Sequence, residues 1–96
     1  MKIIILSTAK DDLKEIHGYL SEFDDTPIKK FKQSFINFIS RVEKTPLLYA
    51  QYEYNPIYRR AVIEYGYLVF YKIGDDKTIR IYRVLHGKRN VAPLPE

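Results

Sequence analysis

Apolar side chains recur first at helical and then at alternating spacing along this chain, and the change falls near residue 57. The run Lys2–Leu6 is short and aliphatic, and it predicts an opening strand. Ser7-Thr8 ends it, and Thr8 with Asp11 three residues on has the form of a capping box. Ala9, Leu13, Ile16, Leu20 and Phe23 then follow at spacings of four and three, which is one face of a helix. Asp24-Asp25-Thr26-Pro27 is a break and a restart, with Thr26 as a cap and Pro27 at the first helical position. Ile28, Phe31, Phe35, Phe38 and Val42 repeat the stripe, and Pro46 predicts its end near Lys44. Two amphipathic helices joined by so short a break form an antiparallel hairpin.

Leu47–Pro56 reads as a loop holding Tyr49, Tyr52 and Tyr54. Beyond it, Ile57–Ile63, Tyr67–Ile73 and Lys77–Leu85 alternate as strands. Glu64-Tyr65-Gly66 and Gly74-Asp75-Asp76 are turn sequences, so both connections are expected to be hairpins. In the last strand Ile79 and Ile81 share a face, but Val84 falls out of phase with them. Either a bulge near Arg83 or a sheet covered on both faces accounts for this. The predicted order is β-α-α-β-β-β, an α+β domain with the N-terminal strand and helical hairpin packed on an antiparallel sheet. Residues 1–96 are expected to form one domain, because the length leaves no room for a second core. Residues 87–96, with two prolines, are expected to be extended.

Composition removes several classes of chemistry. The absence of cysteine excludes disulfides and thiolate metal sites, and two histidines are too few for a structural zinc centre. No metal and no cofactor is expected. The longest aliphatic run, Ile3–Leu6, is far short of a membrane span or the core of a signal peptide, so a cytoplasmic protein with no membrane partner is expected. Charge is divided unequally. Residues 1–56 carry eight basic and eight acidic side chains, whereas residues 57–96 carry eight basic and four acidic. The formal charge of +4 therefore belongs to the second part, which suits contact with nucleic acid or an acidic protein surface.

The order of elements, with certain short motifs, resembles the RelE/ParE toxin superfamily of type II toxin–antitoxin systems. The resemblance rests on Ala9, Asp12, Leu13 and Ile16 followed by Tyr19 and Leu20, and on the Phe31–Phe38 stripe. It continues in Thr45-Pro46-Leu47, the pair Arg59-Arg60, and Tyr67-Leu68-Val69-Phe70-Tyr71. Its most specific part is the closing segment Ile79–Asn90, reading I-R-I-Y-R-V-L-H-G-K-R-N. Members of the RelE-like branch are ribosome-dependent nucleases that cut mRNA. Those of the ParE-like branch share the fold and poison DNA gyrase without nuclease chemistry. Both are held silent by a cognate antitoxin, so the resemblance implies an antitoxin partner and a role in plasmid stabilisation or addiction.

Metal-free RNA cleavage needs a base, an acid and cations around the phosphate. The ordinary pKa of histidine suits proton transfer, which makes His86 a candidate. Arg59 or Arg60 together with Arg83 offers guanidinium forks to phosphate, with Arg60, Arg83 and His86 the preferred trio. That trio defines a catalytic alternative, with Tyr67 or Tyr82 stacking on a base. RelE-like nucleases, however, carry an arginine near the start of the central strand, where this chain has Tyr65-Gly66-Tyr67. Some end in histidine followed by tyrosine, whereas here Gly87, Lys88 and Arg89 follow His86, as in the ParE-like branch. The favoured reading is therefore a non-enzymatic gyrase inhibitor that engages its target through Arg59, Arg60, Arg83, His86, Lys88, Arg89 and Asn90. Tyr49, Tyr52 and Tyr54 are candidate anchors for the antitoxin, aromatic loop residues being frequent interface anchors, with packing back onto the sheet as the other option. His17, beside the first helical stripe, is read as structural.

Overall fold

The computed structural model describes residues 1–87 of the chain. Strand β1 (Lys2–Ile5) leads into helix α1 (Ser7–Leu20) and then α2 (Asp25–Lys44), followed by β2 (Arg59–Val62), β3 (Tyr67–Ile73) and β4 (Thr78–His86). This is the predicted α+β order. The second strand is shorter than its sequence suggested, and a single 3-10 turn occupies Glu64–Gly66. The strands lie in the order β1-β4-β3-β2. β2, β3 and β4 form the expected antiparallel meander, while β1 joins β4 in parallel, with Lys2 opposite Thr78 and Ile5 opposite Ile81. Hydrophobic alternation is the same for parallel and antiparallel pairing, so the sequence carried no sign of this direction.

Both helices turn their apolar stripes to one face of the sheet. Ala9, Ile16 and Leu20 of α1 and Phe31, Phe38 and Val42 of α2 are buried against Ala61, Val69, Tyr71, Ile79, Ile81 and Val84. Phe23, placed on the stripe by spacing, lies beyond the end of α1 and remains 55% exposed. The helix starts also differ from expectation. β1 runs straight into α1 with Leu6 at the N-cap, so the capping box of Thr8 and Asp11 does not form. Thr8 instead donates its hydroxyl hydrogen to the Tyr82 carbonyl at 2.7 Å. At α2, Asp24 rather than Thr26 is the cap, accepting from the Thr26 amide at 3.0 Å. Pro27 is thereby third in the helix, where a backbone N–H has no partner within the helix and none is missed.

The phase break in the last strand is a bulge. Tyr71 pairs with Ile81 and Phe70 with Arg83, which leaves Tyr82 as an extra residue in β4. The insertion resets the alternation, so Ile79 and Ile81 before it and Val84 after it all face the helices and are buried. The hairpin turns show equally local causes. Tyr65 and Gly66 have φ of 62° and 74°, the left-handed geometry that a tight β2–β3 turn requires. Glycine takes it without cost, whereas Tyr65 holds it with some strain. In the β3–β4 turn, the Asp76 carboxylate accepts from Thr78 and from Arg80 at 2.9 Å, and the Arg80 guanidinium holds its acid well below the usual carboxylate range.

The long loop is tied to the core from within. Tyr49 packs on Phe38 and Tyr71, with ring centroids 5.5 and 6.4 Å away, and the Tyr71 hydroxyl donates to the Pro46 carbonyl at 3.0 Å. Burial pushes the Tyr71 hydroxyl up to about 12, against the opposing pull of the Arg59 charge. Because the folded state disfavours the phenolate, this contribution to stability is complete below the ordinary tyrosine value near 10 and is lost as the pH rises from there to about 12. Tyr71→Phe is expected to flatten the alkaline fall in a urea-unfolding series between those limits. An unchanged alkaline slope in that variant would show that the burial of this hydroxyl is not its source.

Candidate functional site: the free edge of β4 and the outer sheet face

Register divides the basic and aromatic candidates between the two faces of the sheet. Arg60 lies opposite Phe70, which in turn lies opposite Arg83, and Lys72 lies opposite Arg80. These positions alternate with residues packed against the helices and so belong to the opposite face, where Phe70 is buried as well. The bulge adds to that face, since two successive residues, Tyr82 and Arg83, fall where a regular strand would place one.

Arg83 sits at the edge of the sheet and reaches round it. Its Nε and Nη2 donate to the two carboxylate oxygens of Asp12 in α1, at 2.8 and 3.0 Å. The same carboxylate accepts the Val84 amide at 2.9 Å. β1 ends opposite Ile81, so from Tyr82 onward the edge of β4 has no strand beside it. Thr8 and Asp12 take over the missing strand's part by bonding Tyr82 and Val84. With side chains only 28% and 11% exposed, this bidentate pair is well shielded from solvent, and the carboxylate raises the Arg83 pKa beyond its already high value. Sequence reading placed Arg83 among the target contacts; the structure gives its guanidinium to Asp12.

His86 ends β4 on the opposite face from Arg60. It pairs with Tyr67 across the hairpin, and its ring meets the Tyr67 ring edge-on at 5.0 Å. Tyr67 is buried and packs against Phe31, with centroids 5.2 Å apart, so the ring proposed for base stacking belongs to the core. His86 and Arg83 both line a groove of about 640 Å³ between the second half of α1 and the end of β4, together with Glu15, Tyr19, Phe23 and Tyr65. Gly87 follows with its amide on the Gly66 carbonyl at 3.0 Å, and a Cβ there would lie 3.0 Å from that same oxygen. The histidine-glycine sequence is thus fixed by a close approach of two backbones. Lys88, Arg89 and Asn90 lie outside the described residues.

The remaining candidates separate in the same way. Arg59 points to the helix side and donates to the Tyr49 carbonyl at 2.7 Å, which ties the loop to the sheet. Arg60 is exposed on the outer face, its guanidinium 5.7 Å from the Tyr52 ring centre. Of the three loop tyrosines, Tyr49 is core, Tyr52 packs on Phe70 at 5.0 Å, and Tyr54 alone is largely open, at 79% exposure. Sequence reading passed over Lys72, whose ammonium lies 4.6 and 4.7 Å from the rings of Tyr58 and Tyr82. Its position two residues from Phe70 in an alternating strand was the available signal. His17 is exposed and lines the groove between the helices. Among the described residues no cluster of histidine, cysteine, aspartate and glutamate is arranged to hold a metal, and no helix is long and apolar enough to cross a membrane.

Asp12→Ala removes two charge-assisted bonds and leaves the Val84 amide without its acceptor, so a loss of about 2–3 kcal/mol is expected in urea unfolding. Combined with Arg83→Ala in a double-mutant cycle, it should show coupling of about 1 kcal/mol or more. Strict additivity would mean that the pair does not hold the edge.

No curated protein matches the chain by sequence. A solved structure described as the chromosomal ParDE TA system from P. aeruginosa is similar in fold. Its TM-score is 0.70 at 20% identity, and the match covers 90% of this chain and 95% of that one. The family model of the ParE toxin of the type II toxin–antitoxin system, parDE, matches residues 3–91. Taken over nearly the whole length of the chain, that match shows that this protein belongs to the ParE toxin family of type II toxin–antitoxin systems.

Proposed function

We propose that this toxin acts by binding DNA gyrase, without bond-breaking chemistry of its own, and that its antitoxin lies in the groove between the two helices. The carrying observation is that the sheet parts Arg60 from His86, while Arg83, which lines the same groove as His86, is engaged by an acid. Arg60 stands on the outer face, His86 stands on the helix side against Tyr67, and the Arg83 guanidinium is bound to Asp12. General acid–base catalysis requires such groups within hydrogen-bond reach of one substrate. Sheet parity opposes that for Arg60 and His86. Binding has no such requirement, because an extended basic surface works through its summed field. The contacts with gyrase, or with the DNA it holds, are assigned to Arg60 and His86 and to Lys88, Arg89 and Asn90, which follow directly in sequence. Arg59 and Arg83 support that surface through Tyr49 and Asp12.

The antitoxin site is supported by the chemistry of the helical groove. Leu13, Ile28, Phe31, Phe35 and Ile36 line about 430 Å³ of it, with Lys10, Lys14 and Lys32 among the lining residues. An apolar floor beside lysines fits an amphipathic helix with acidic flanks. Tyr54 offers a further exposed ring, whereas Tyr49 is half-buried against the core.

Purified protein is expected to inhibit gyrase supercoiling in a dose-dependent way and to accumulate gyrase-linked cleaved DNA. The double variant Lys88→Ala/Arg89→Ala should weaken that inhibition by about tenfold or more while remaining folded, as loss of about 1.4 kcal/mol of binding would do. Full inhibition by the variant would remove the assignment. Absence of any effect on gyrase, together with mRNA cleavage on ribosomes that His86→Ala abolishes, would replace the proposal with the nuclease reading.

Reversal of Lys10, Lys14 and Lys32 to glutamate is expected to weaken binding of the cognate antitoxin by at least about tenfold in calorimetry, more at low salt than at high. Unchanged affinity at low salt would place the antitoxin elsewhere.

A further inference from the structure

The outer face of the sheet carries a group of rings and cations that the gyrase reading uses only at Arg60. Its rows follow from register. Tyr58 precedes Arg59, which pairs with Tyr71, so Tyr58 falls beside Lys72, and Lys72 lies opposite Arg80. The next row is Arg60, Phe70 and Arg83. The bulge brings Tyr82 onto the same surface, where its ring stands nearly perpendicular to that of Tyr58 at 5.3 Å. Lys72 is held by both rings. On the other side Tyr52 covers Phe70, Tyr54 meets Tyr52 edge-on at 5.5 Å, and Arg60 lies over the Tyr52 ring.

Two properties narrow the kind of partner. Arg80 is neutralised by Asp76 and Arg83 by Asp12, but among the described residues neither Arg60 nor Lys72 forms an ion pair. Their side chains are steadied by aromatic rings, which leaves their charge uncompensated for an anion. Beside them Tyr54 presents a ring that is 79% exposed. A ligand that alternates anionic groups with flat apolar faces satisfies both features. Phosphates and unpaired bases do so in regular alternation, whereas duplex DNA hides its base faces and an acidic protein surface offers no such repeat of charge and flat ring.

We infer that this face, from Tyr54 and Arg60 to Lys72, binds single-stranded nucleic acid directly, with a base stacked on Tyr54 and phosphates on Arg60 and Lys72. Binding is tolerant of sequence and needs neither gyrase nor ribosome, so it stands apart from the choice of cellular target.

The test is fluorescence anisotropy of the full-length protein with a short labelled oligothymidylate, its duplex with oligoadenylate, and a polyglutamate competitor, over a range of salt. The single strand is expected to bind about tenfold more tightly than the duplex. Tyr54→Ala should weaken single-strand binding about tenfold and leave the salt dependence unchanged, because it removes stacking and no charge. Arg60→Gln with Lys72→Gln should weaken binding and lower the slope of log affinity against log salt by about 1.4, as loss of two phosphate contacts requires. Lys72 supports two rings, so Arg60→Gln alone, at an exposed position, provides a folded control with about half that change in slope. Equal affinity for duplex and single strand with no effect of Tyr54→Ala would overturn the inference and indicate nonspecific attraction. So would displacement of the oligonucleotide by polyglutamate at equal charge, or no binding by folded protein at low salt.

Discussion

Between Ile81 and Arg83 the chain spends one residue more in β4 than in the strand beside it, and both faces of the sheet depend on that extra residue. Were Tyr82 paired regularly instead of bulged, Val84 would point to solvent and Arg83 into the core. With the bulge, Val84 joins Ile79 and Ile81 beneath the helices, and Tyr82 and Arg83 stand together outside. A bulge weakens local pairing and therefore needs support. Here α1 supplies it, because Thr8 holds the carbonyl of the inserted residue and Asp12 holds Arg83 and the Val84 amide. The motif residue Asp12 and the arginine of the closing segment, 71 positions apart in sequence, are the two halves of one clamp.

That clamp also decides which charges remain available. An arginine with two short bonds to a shielded carboxylate is a fixed structural group, and it contributes little net field. Arg80 is paired with Asp76 too, at a more exposed site in the β3–β4 turn. Among the described residues of the second part, the positive charge outside these ion pairs is that of Arg59, Arg60, Lys72 and Lys77, and of these Arg60 and Lys72 rest on rings instead of acids. Rings steady a cation without cancelling it. The tyrosines of this sheet thus serve twice, as packing on a pleated surface and as supports that keep a neighbouring charge aimed outward.

The separation of His86 from Arg60 follows from the same geometry. An odd number of steps after the bulge returns His86 to the helix side, where Tyr67 and the groove beside α1 receive it. A family whose members share a fold need not share chemistry, since chemistry depends on which side chains one face collects. In this protein the outer face collects rings and cations, and the histidine goes to the other side. Such a surface suits recognition of an extended polyanion, and it supports a toxin that works by occupancy.

Most of the architecture was legible in the sequence because it is set by local periodicity. The two helical stripes, the meander and its turns, and even the defect in phase near Arg83 can be read from which positions are apolar, since burial leaves the same mark whichever way the elements are arranged. The placement of the charged residues was not legible. Arg59, Arg60 and Arg83 look alike in a sequence, yet one holds a loop carbonyl, one stands open over Tyr52, and one closes on Asp12. Tyr49, Tyr52 and Tyr54 look alike too, and only Tyr54 remains outside. Polar groups take partners by distance in space, and those partners lie on other elements whose approach no local pattern records. The parallel entry of β1, the clamp at the β4 edge and the separation of His86 from Arg60 were for that reason decided by tertiary structure alone.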